Sequence, residues 1–426
     1  MKDRLLALVL AAGEGTRFRS EKTKVLHPLL GKPMLRLVLD SVFHLKPEKV
    51  LIVVGYQKEA VIKETSSFDI GYIDQKLNDG IAHAVLSAKS ILRTFKDRDL
   101  LVLGGNLPLI RAQALSSLLN FHRRQQNSVT WVGSGSDNPD AAVIKIKDLL
   151  PALSKTADEG ARKPAHFVSV IQRLARTGKK VEIFDWCRPE DFLCVRTRQD
   201  LAEAVGILRK RKMDELAGRG VTIYNPASTW VDLDVVVGRD TTLYPGVTIE
   251  GRTRIGINCF IYPGVHISNS QIGDRVRVFS SSVMDGAIIE DDAQVGPFSR
   301  LRPKTVLRAG ARVGNFVEVK NTDFGKGSKA LHLSYLGDSE IHEGVNIGAG
   351  TITCNYDGLK KNKTTIEAGA FIGSGTELVA PVKIGRGAYI GAGSVITKDV
   401  SPEALAVARS RQVERPGWAR RKKVKK

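Results

Sequence analysis

The sequence predicts two unlike folds in one chain: an α/β domain followed by a parallel β-helix. Three observations lead there. An aliphatic residue recurs every six positions through the C-terminal half. Strand-like and helix-like stretches alternate through the N-terminal half. Glycine is abundant (40 residues) while aromatics are only 6%, as a fold with many tight corners requires.

The repeat comes first because it is the strongest signal. Val231, Val237, Leu243, Ile249, Ile255, Ile261 and Ile267 are spaced by six, and a one-residue slip leads to Ile272 and Val278. A second register runs Val283, Ile289, Val295, Leu301, Leu307, Val313, Val319, and a third runs from Ile366 to Ile396. Six is neither the helical period nor that of an alternating strand; it marks a solenoid of short strands. Three stretches complete a coil, and one inward residue per stretch stacks into a continuous core. Two interruptions, 321–335 and 353–365, are expected to be loops on one face.

In the N-terminal half, 5–10, 50–54 and 100–103 read as buried strands, and 33–45 and 83–93 as helices. That alternation predicts a parallel sheet covered by helices. Residues 200–219 read as a linking helix ended by Gly218 and Gly220. The expected division is an α/β domain over 1–199, a linking helix over 200–220, a β-helix over 221–411 and a basic tail over 412–426.

Charge and cysteine usage narrow the class. Lys plus Arg exceeds Asp plus Glu by 20, six of these charges lying in the last seven residues. Such an excess favours anionic ligands without choosing among them. The apolar run 5–10 is too short for a membrane span and is wrongly flanked for a signal peptide. Cys187, Cys194, Cys259 and Cys354 show no CxxC pairing, as expected of free thiols in a reducing cytoplasm. The basic run 420–426 lacks interleaved aromatics, so no nucleic-acid partner is expected, and a solvated, disordered end is the default.

LAAGEGTR at 10–17 follows the first strand, where a glycine-rich turn can present backbone N–H groups to phosphate. Together with KVLHPLLGKPML at 24–35, it resembles the sugar-phosphate nucleotidyltransferases. The chain as a whole resembles the bifunctional N-acetylglucosamine-1-phosphate uridyltransferase/glucosamine-1-phosphate N-acetyltransferase family. The resemblance implies a Rossmann-like nucleotidyltransferase domain and a left-handed β-helix. It assigns Leu10, Ala11, Ala12, Gly13, Lys24, Gln75 and Gly80 to the nucleotide.

The same resemblance exposes departures. The family's Gly-Thr is here Gly80-Ile81. Asn106 stands at the family's magnesium-binding Asp, and Arg196 at its second ligand. Mg²⁺ favours carboxylate oxygens, and a cation beside the site repels it. DNPD at 137–140 runs directly into AAVIKI without the family's Gly-Tyr-Gly-Arg segment. No match to the sugar-binding Glu and Asn segments is found between Asp148 and Val181. The expectation is a degenerate domain with weak or lost uridyltransferase activity, vestigial nucleotide contacts and no metal. Mg²⁺ is implied only if that activity persists.

The C-terminal motifs RLRPKTVL, GNFVEVKN, HLSYLGD, VNIGAGTITCNYDG, FIGS and IGAGSVITKDV resemble the acetyltransferase half without detectable deletion. The resemblance implies His332 as the base that takes the amine proton. It implies Arg302, Lys320, Tyr335, Asn346, Asn355 and Tyr356 for the sugar phosphate. It implies Ala349, Ser374, Ala392 and Arg409 for acetyl-CoA as co-substrate. Cys354, beside this site, reads as a small loop thiol rather than a nucleophile. The expected enzyme makes N-acetylglucosamine 1-phosphate from acetyl-CoA and glucosamine 1-phosphate, on the route to UDP-N-acetylglucosamine and cell-wall synthesis, as a homotrimer with sites between subunits. Two alternatives stand beside it: the fully bifunctional enzyme, and a non-catalytic anion-binding scaffold in which His332 is dispensable.

Overall fold

The computed structural model describes residues 5–75, 80–132, 141–159 and 167–423. The DNPD segment and residues 424–426 lie outside the described residues. The chain divides into two compact units, Met1–Arg211 and Lys212–Lys426, within the helix Arg198–Gly218.

The first unit is built on a seven-stranded sheet. Across it run Gly71–Asp74, Lys49–Val54, Leu5–Leu10, Asp99–Gly104, Ala141–Lys145, Val129–Val132 and Val181–Phe184. The first strand is continuously apolar because both its faces are buried. Leu5, Ala7 and Val9 join one core cluster and Leu6 and Leu8 the other, so helices cover both sides. The expectation of a parallel sheet holds around Leu5–Leu10. It fails at Ala141–Lys145, which pairs antiparallel with both its neighbours and makes the sheet mixed. That strand follows the 133–140 segment, whose short length favours a reversal over a crossover. The expected 83–93 helix is two pieces, Ile81–Ser87 and Lys89–Thr94.

The second unit is a parallel β-helix with three walls of eleven, ten and nine short strands. The inward column of the second wall reads Val231, Ile249, Ile267, Met284, Leu301, Val319 and Leu336, each at most 1% exposed. This corrects one register. Val283 is 42% exposed and Met284 fills the core beside Ile267. Six-residue spacing therefore continues through Met284, and the contraction falls afterwards, before Ile289. Ile267–Ile272, Met284–Ile289, Val319–Phe324 and Leu336–Ile341 are all five-residue steps, and each ends on the third wall.

The first expected interruption is also corrected. Residues 321–335 are regular coil, with Phe324 and Ala330 in the core. An aromatic and an alanine at inward positions hid the rhythm. The second is an insertion narrower than expected. Thr353 remains in a strand, and the loop runs 355–363 with Tyr356 bridged to Lys361. At the start of the β-helix, Met213 and Leu216 join its core cluster. The buried Lys212 ammonium donates to the Leu233 and Val235 carbonyls (3.1 and 2.9 Å). In the tail, Trp418–Lys423 is helical, with Lys422 over the Trp418 ring at 4.8 Å, so a wholly unstructured end is not what the fold contains. Among the described residues, no helix is long and apolar enough to cross a membrane.

Candidate functional site

Two constellations stand out, one in each unit. In the first unit, the turn after Leu5–Leu10 is stitched to its neighbours. Ala11 N donates to Val53 O (2.9 Å), Tyr56 N to Ala12 O (3.1 Å) and Gly105 N to Leu10 O (2.9 Å). Gly15 holds φ +72°, and a Cβ there would lie 2.9 Å from Cβ of Lys24. Glycine is thus what lets Lys24 pack onto the turn. Gly13 faces open space. Ala12, Gly55, Tyr56 and Gln75 line a cavity of about 510 Å³. Gln75 is 7% exposed, and among the described residues its amide nitrogen meets Gly80 O and His83 Nδ1, both at 3.5 Å. Leu10, Ala11, Ala12, Gly13, Lys24, Gln75 and Gly80 therefore lie at or beside the C-terminal ends of the parallel strands, where α/β sheets bind ligands.

The expected metal positions also meet, but with the wrong chemistry. Asn106 N–H₂ donates to Val195 O (2.9 Å) and to Cys194 Sγ (3.0 Å), and Val195 N donates back to Asn106 O (2.9 Å). Asn106 is thereby tied to the residue preceding Arg196. Arg196 lines a second cavity of about 470 Å³ with Trp186, Phe192, Cys194 and Asp200. Asp200 is spoken for: its carboxylate accepts from Arg196 N and Thr197 N (2.7 and 2.8 Å) and its N–H donates to Thr197 Oγ1 (3.2 Å), a capping box in the first turn of the helix Arg198–Gly218. Burial pushes its carboxyl up, but these hydrogen bonds outweigh it and hold the group below the usual range. An amide, a guanidinium and a capping carboxylate do not fit Mg²⁺. Among the described residues, no three His, Cys, Asp or Glu side chains are grouped to hold a metal.

In the β-helix, register organises everything. Ala330, Ile347, Ile372 and Ile390 stack inward on the first wall. Two residues beyond each, at the corner, stand His332, Ala349, Ser374 and Ala392 in one column. Gly375 N donates to Ala349 O (2.7 Å) and Gly393 N to Ser374 O (2.8 Å), which locks successive corners together. A Cβ on Gly348 would lie 2.5 Å from Ser374 N, and one on Gly373 2.5 Å from Ala392 N. Arg409 Nη1 donates to Ala392 O (2.5 Å) at the top of the column. The four positions assigned to acetyl-CoA form one ridge with His332 at its foot. His332 is the exposed last residue of the strand Lys329–His332, not part of a loop as the interrupted repeat implied.

The second wall is the neighbouring floor. Tyr335 opens the strand Tyr335–Gly337, and a Cβ on Gly337 would lie 2.5 Å from the Tyr335 hydroxyl. The missing side chain leaves room for the phenol to reach the wall's far edge. Asn355 donates there to Tyr335 Oη (3.4 Å) and to the Asp338 carboxylate. Asp338 also accepts from Asn321 (2.6 Å) and lies 3.9 Å from Lys320 Nζ. Arg302 pairs with Glu318 (2.9 Å). The Lys361 ammonium, then partial burial, push the Lys320 amine below the usual lysine range, against the pull of Asp338. Arg302, Lys320, Tyr335 and Asn355 are thus one cluster. Asn346 stands apart on the first wall, opposite Lys329 and Phe371. Tyr356 is 61% exposed on the inserted loop, its hydroxyl bonded to Gly358 O.

Sequence reasoning missed Glu318, Asp338 and Lys361. Spacing held a signal for the first two. Glu318 is two residues before Lys320 and so shares its face of the strand, and Asp338 ends the next coil. Lys361 became visible only when the insertion folded back. Burial and the Glu377 charge push the Cys354 thiol up, away from thiolate chemistry.

Comparison with known proteins agrees with this two-part anatomy. Residues 7–176 match the MobA-like NTP transferase domain and residues 363–398 the bacterial transferase hexapeptide (six repeats). The protein named Bifunctional protein GlmU of Thermodesulfovibrio yellowstonii is 39% identical over 98% of this chain and 99% of its own length. That of Thermotoga maritima is 40% identical over 98% and 99%. That of a Geobacillus species is 39% identical over 99% and 98%. With an α/β sheet in one unit and a left-handed hexapeptide β-helix in the other, and with relatives matched from end to end, the chain belongs to the GlmU family of transferases.

Proposed function

We propose that this chain is a glucosamine-1-phosphate N-acetyltransferase whose uridyltransferase half is weak or lost. The observation that carries the reading is the single column of His332, Ala349, Ser374 and Ala392 beside the Arg302–Lys320–Lys361 cationic cluster. Acetyl-CoA lies along the ridge, with its acetyl end near Ser374 and Arg409 at the far end. The acceptor crosses the second wall, a three-residue strand roughly 7–10 Å long. Its phosphate meets Arg302 and Lys320, two cations opposing a dianion, and its amine faces His332. Asn346, Asn355 and Tyr356 complete the sugar pocket, Tyr356 reaching towards a neighbouring subunit of a homotrimer.

The chemistry follows from those positions. The amine nitrogen attacks the thioester carbonyl, its proton passes to His332, and a C–N bond forms as the C–S bond breaks. The departing thiolate of CoA takes up the proton. Ser374 donates to the carbonyl oxygen as charge develops. The raised Cys354 thiol supports direct transfer without a covalent enzyme intermediate. The product feeds UDP-N-acetylglucosamine synthesis in the cytoplasm.

In the first unit, the nucleotide turn persists while Asn106 and Arg196 do not suit Mg²⁺. A second reading, the fully bifunctional enzyme, is favoured by end-to-end similarity to proteins that carry that name. Free-thiol release from acetyl-CoA, with and without glucosamine 1-phosphate, tests the acetyltransferase. Acceptor-independent or absent release would instead favour a non-catalytic scaffold. Pyrophosphate release from UTP, Mg²⁺ and N-acetylglucosamine 1-phosphate separates the first two readings.

A further inference from the structure

We propose that Asn315 is the positioning residue that sets the tautomer of His332; this rests on His332 being the base. Asn315 sits one coil below His332 in the same corner column, paired with it in the parallel ladder. Its Oδ1 is 3.0 Å from His332 Nδ1. The approach is enforced by backbone. Leu333 N donates to Asn315 O (3.0 Å), and a Cβ on Gly314 would lie 2.0 Å from Leu331 O. The two corners are therefore held one strand spacing apart, which keeps the amide within reach of the ring.

An amide oxygen accepts a hydrogen bond and cannot donate one. Facing Nδ1, it keeps the proton on Nδ1 and leaves the Nε2 lone pair free, the form a base needs. The opposite amide orientation would put N–H₂ against Nδ1, move the proton to Nε2 and remove the base. A neutral partner has a second consequence. A carboxylate here would stabilise the imidazolium and keep the ring protonated at higher pH.

The charged surroundings leave this role to Asn315. Arg312 on the strand below pairs with Lys329 at the far end of the His332 strand. Asn346 is the neutral side chain on the strand above. Past the corner stand Tyr335 and Glu318, the latter engaged by Arg302. Among the described residues, no carboxylate is within ion-pairing distance of His332.

Two variants test the role. Asn315→Ala is expected to lower kcat about 10–100-fold, the usual cost of removing a histidine's orienting partner, with KM for both substrates within about twofold. Asn315→Asp keeps the acceptor but adds charge. Its kcat at high pH should recover to within about tenfold of wild type, and the acidic limb of its pH profile should move up by about one unit or more. The direction follows because only a neutral imidazole can accept the amine proton, and an added carboxylate favours the imidazolium. Wild-type kcat in Asn315→Ala, or an unmoved acidic limb in Asn315→Asp, overturns the proposal. If Asn315→Ala fails to fold, the limb of Asn315→Asp decides alone. Full activity in His332→Ala would instead overturn the base assignment itself.

Discussion

The two units place their candidate sites on backbones of very different tolerance. In the α/β unit the site lies on turns after buried strands, and the strands do not depend on what the turns carry. Asn106 and Arg196 coexist with an intact sheet. In the β-helix the candidate residues outside the inserted loop stand at fixed offsets from inward residues of the repeat. Within a strand, a shift of one residue would turn the inward side chain outward, so a change of length has to be taken up at a corner. Contractions of one residue are confined to the approach to the third wall, away from the His332 column. The lesson is that a solenoid ties most of its candidate site to register, while an α/β scaffold can change the residues on its turns and keep its fold.

The largest expected effect breaks the comparison on the β-helix side. His332→Ala should lower acetyl transfer 10²–10⁴-fold, the range for loss of a general base, while leaving the unfolding midpoint nearly unchanged because the residue is exposed. Steady-state thiol release and thermal unfolding of the same preparation check both halves. Next, Lys320→Ala should raise KM for glucosamine 1-phosphate by roughly 10–100-fold, as loss of a charged hydrogen bond costs about 1.5–3 kcal/mol. The KM for acetyl-CoA should hold. A fall in kcat alone would place Lys320 outside the phosphate site.

Register itself can be probed with two glycines. Gly314→Ala pushes a Cβ against the Leu331 backbone and should cost about 1–3 kcal/mol. Gly13→Ala meets open space and should stay within about 0.5 kcal/mol. Equal costs in denaturant unfolding would remove the contrast between the units. The smallest effect concerns the inserted loop. Asp357 accepts from Lys360 N, Leu359 N and Asn362, which lower its carboxyl pKa to about 2. A depressed folded pKa means the loop's stabilisation is present above the ordinary carboxylate value of about 3.9 and is lost as pH falls through about 2. Hydrogen exchange at Leu359 and Lys360 should therefore accelerate between those values, and Asp357→Asn should flatten that dependence.

Much of the fold was legible because one physical rule, a single inward aliphatic per six residues, repeats through most of the β-helix. It failed where Met284, Phe324 and Ala330 fill inward positions that the aliphatic pattern did not anticipate. The first strands of the α/β unit were legible from continuous apolar runs. The reversed strand Ala141–Lys145 was not, because hydrophobic content carries no direction. For the site, the motifs named His332, Lys320 and Ser374. They could not show that His332 and Ser374 share a column, since that follows from counting coils. Nor could they show that Lys361 folds back to Lys320 or that Asn106 is tied to Val195, because both depend on loop conformation.

The central claim is one working site and one altered site in the same chain. Its most direct test runs both reactions on one preparation of the full chain. Thiol release from acetyl-CoA and pyrophosphate release from UTP are measured with saturating Mg²⁺ and the respective sugar phosphates. The expected result is rapid thiol release that requires glucosamine 1-phosphate, with pyrophosphate release at or near background. Pyrophosphate release at a rate comparable to acetyl transfer would contradict it.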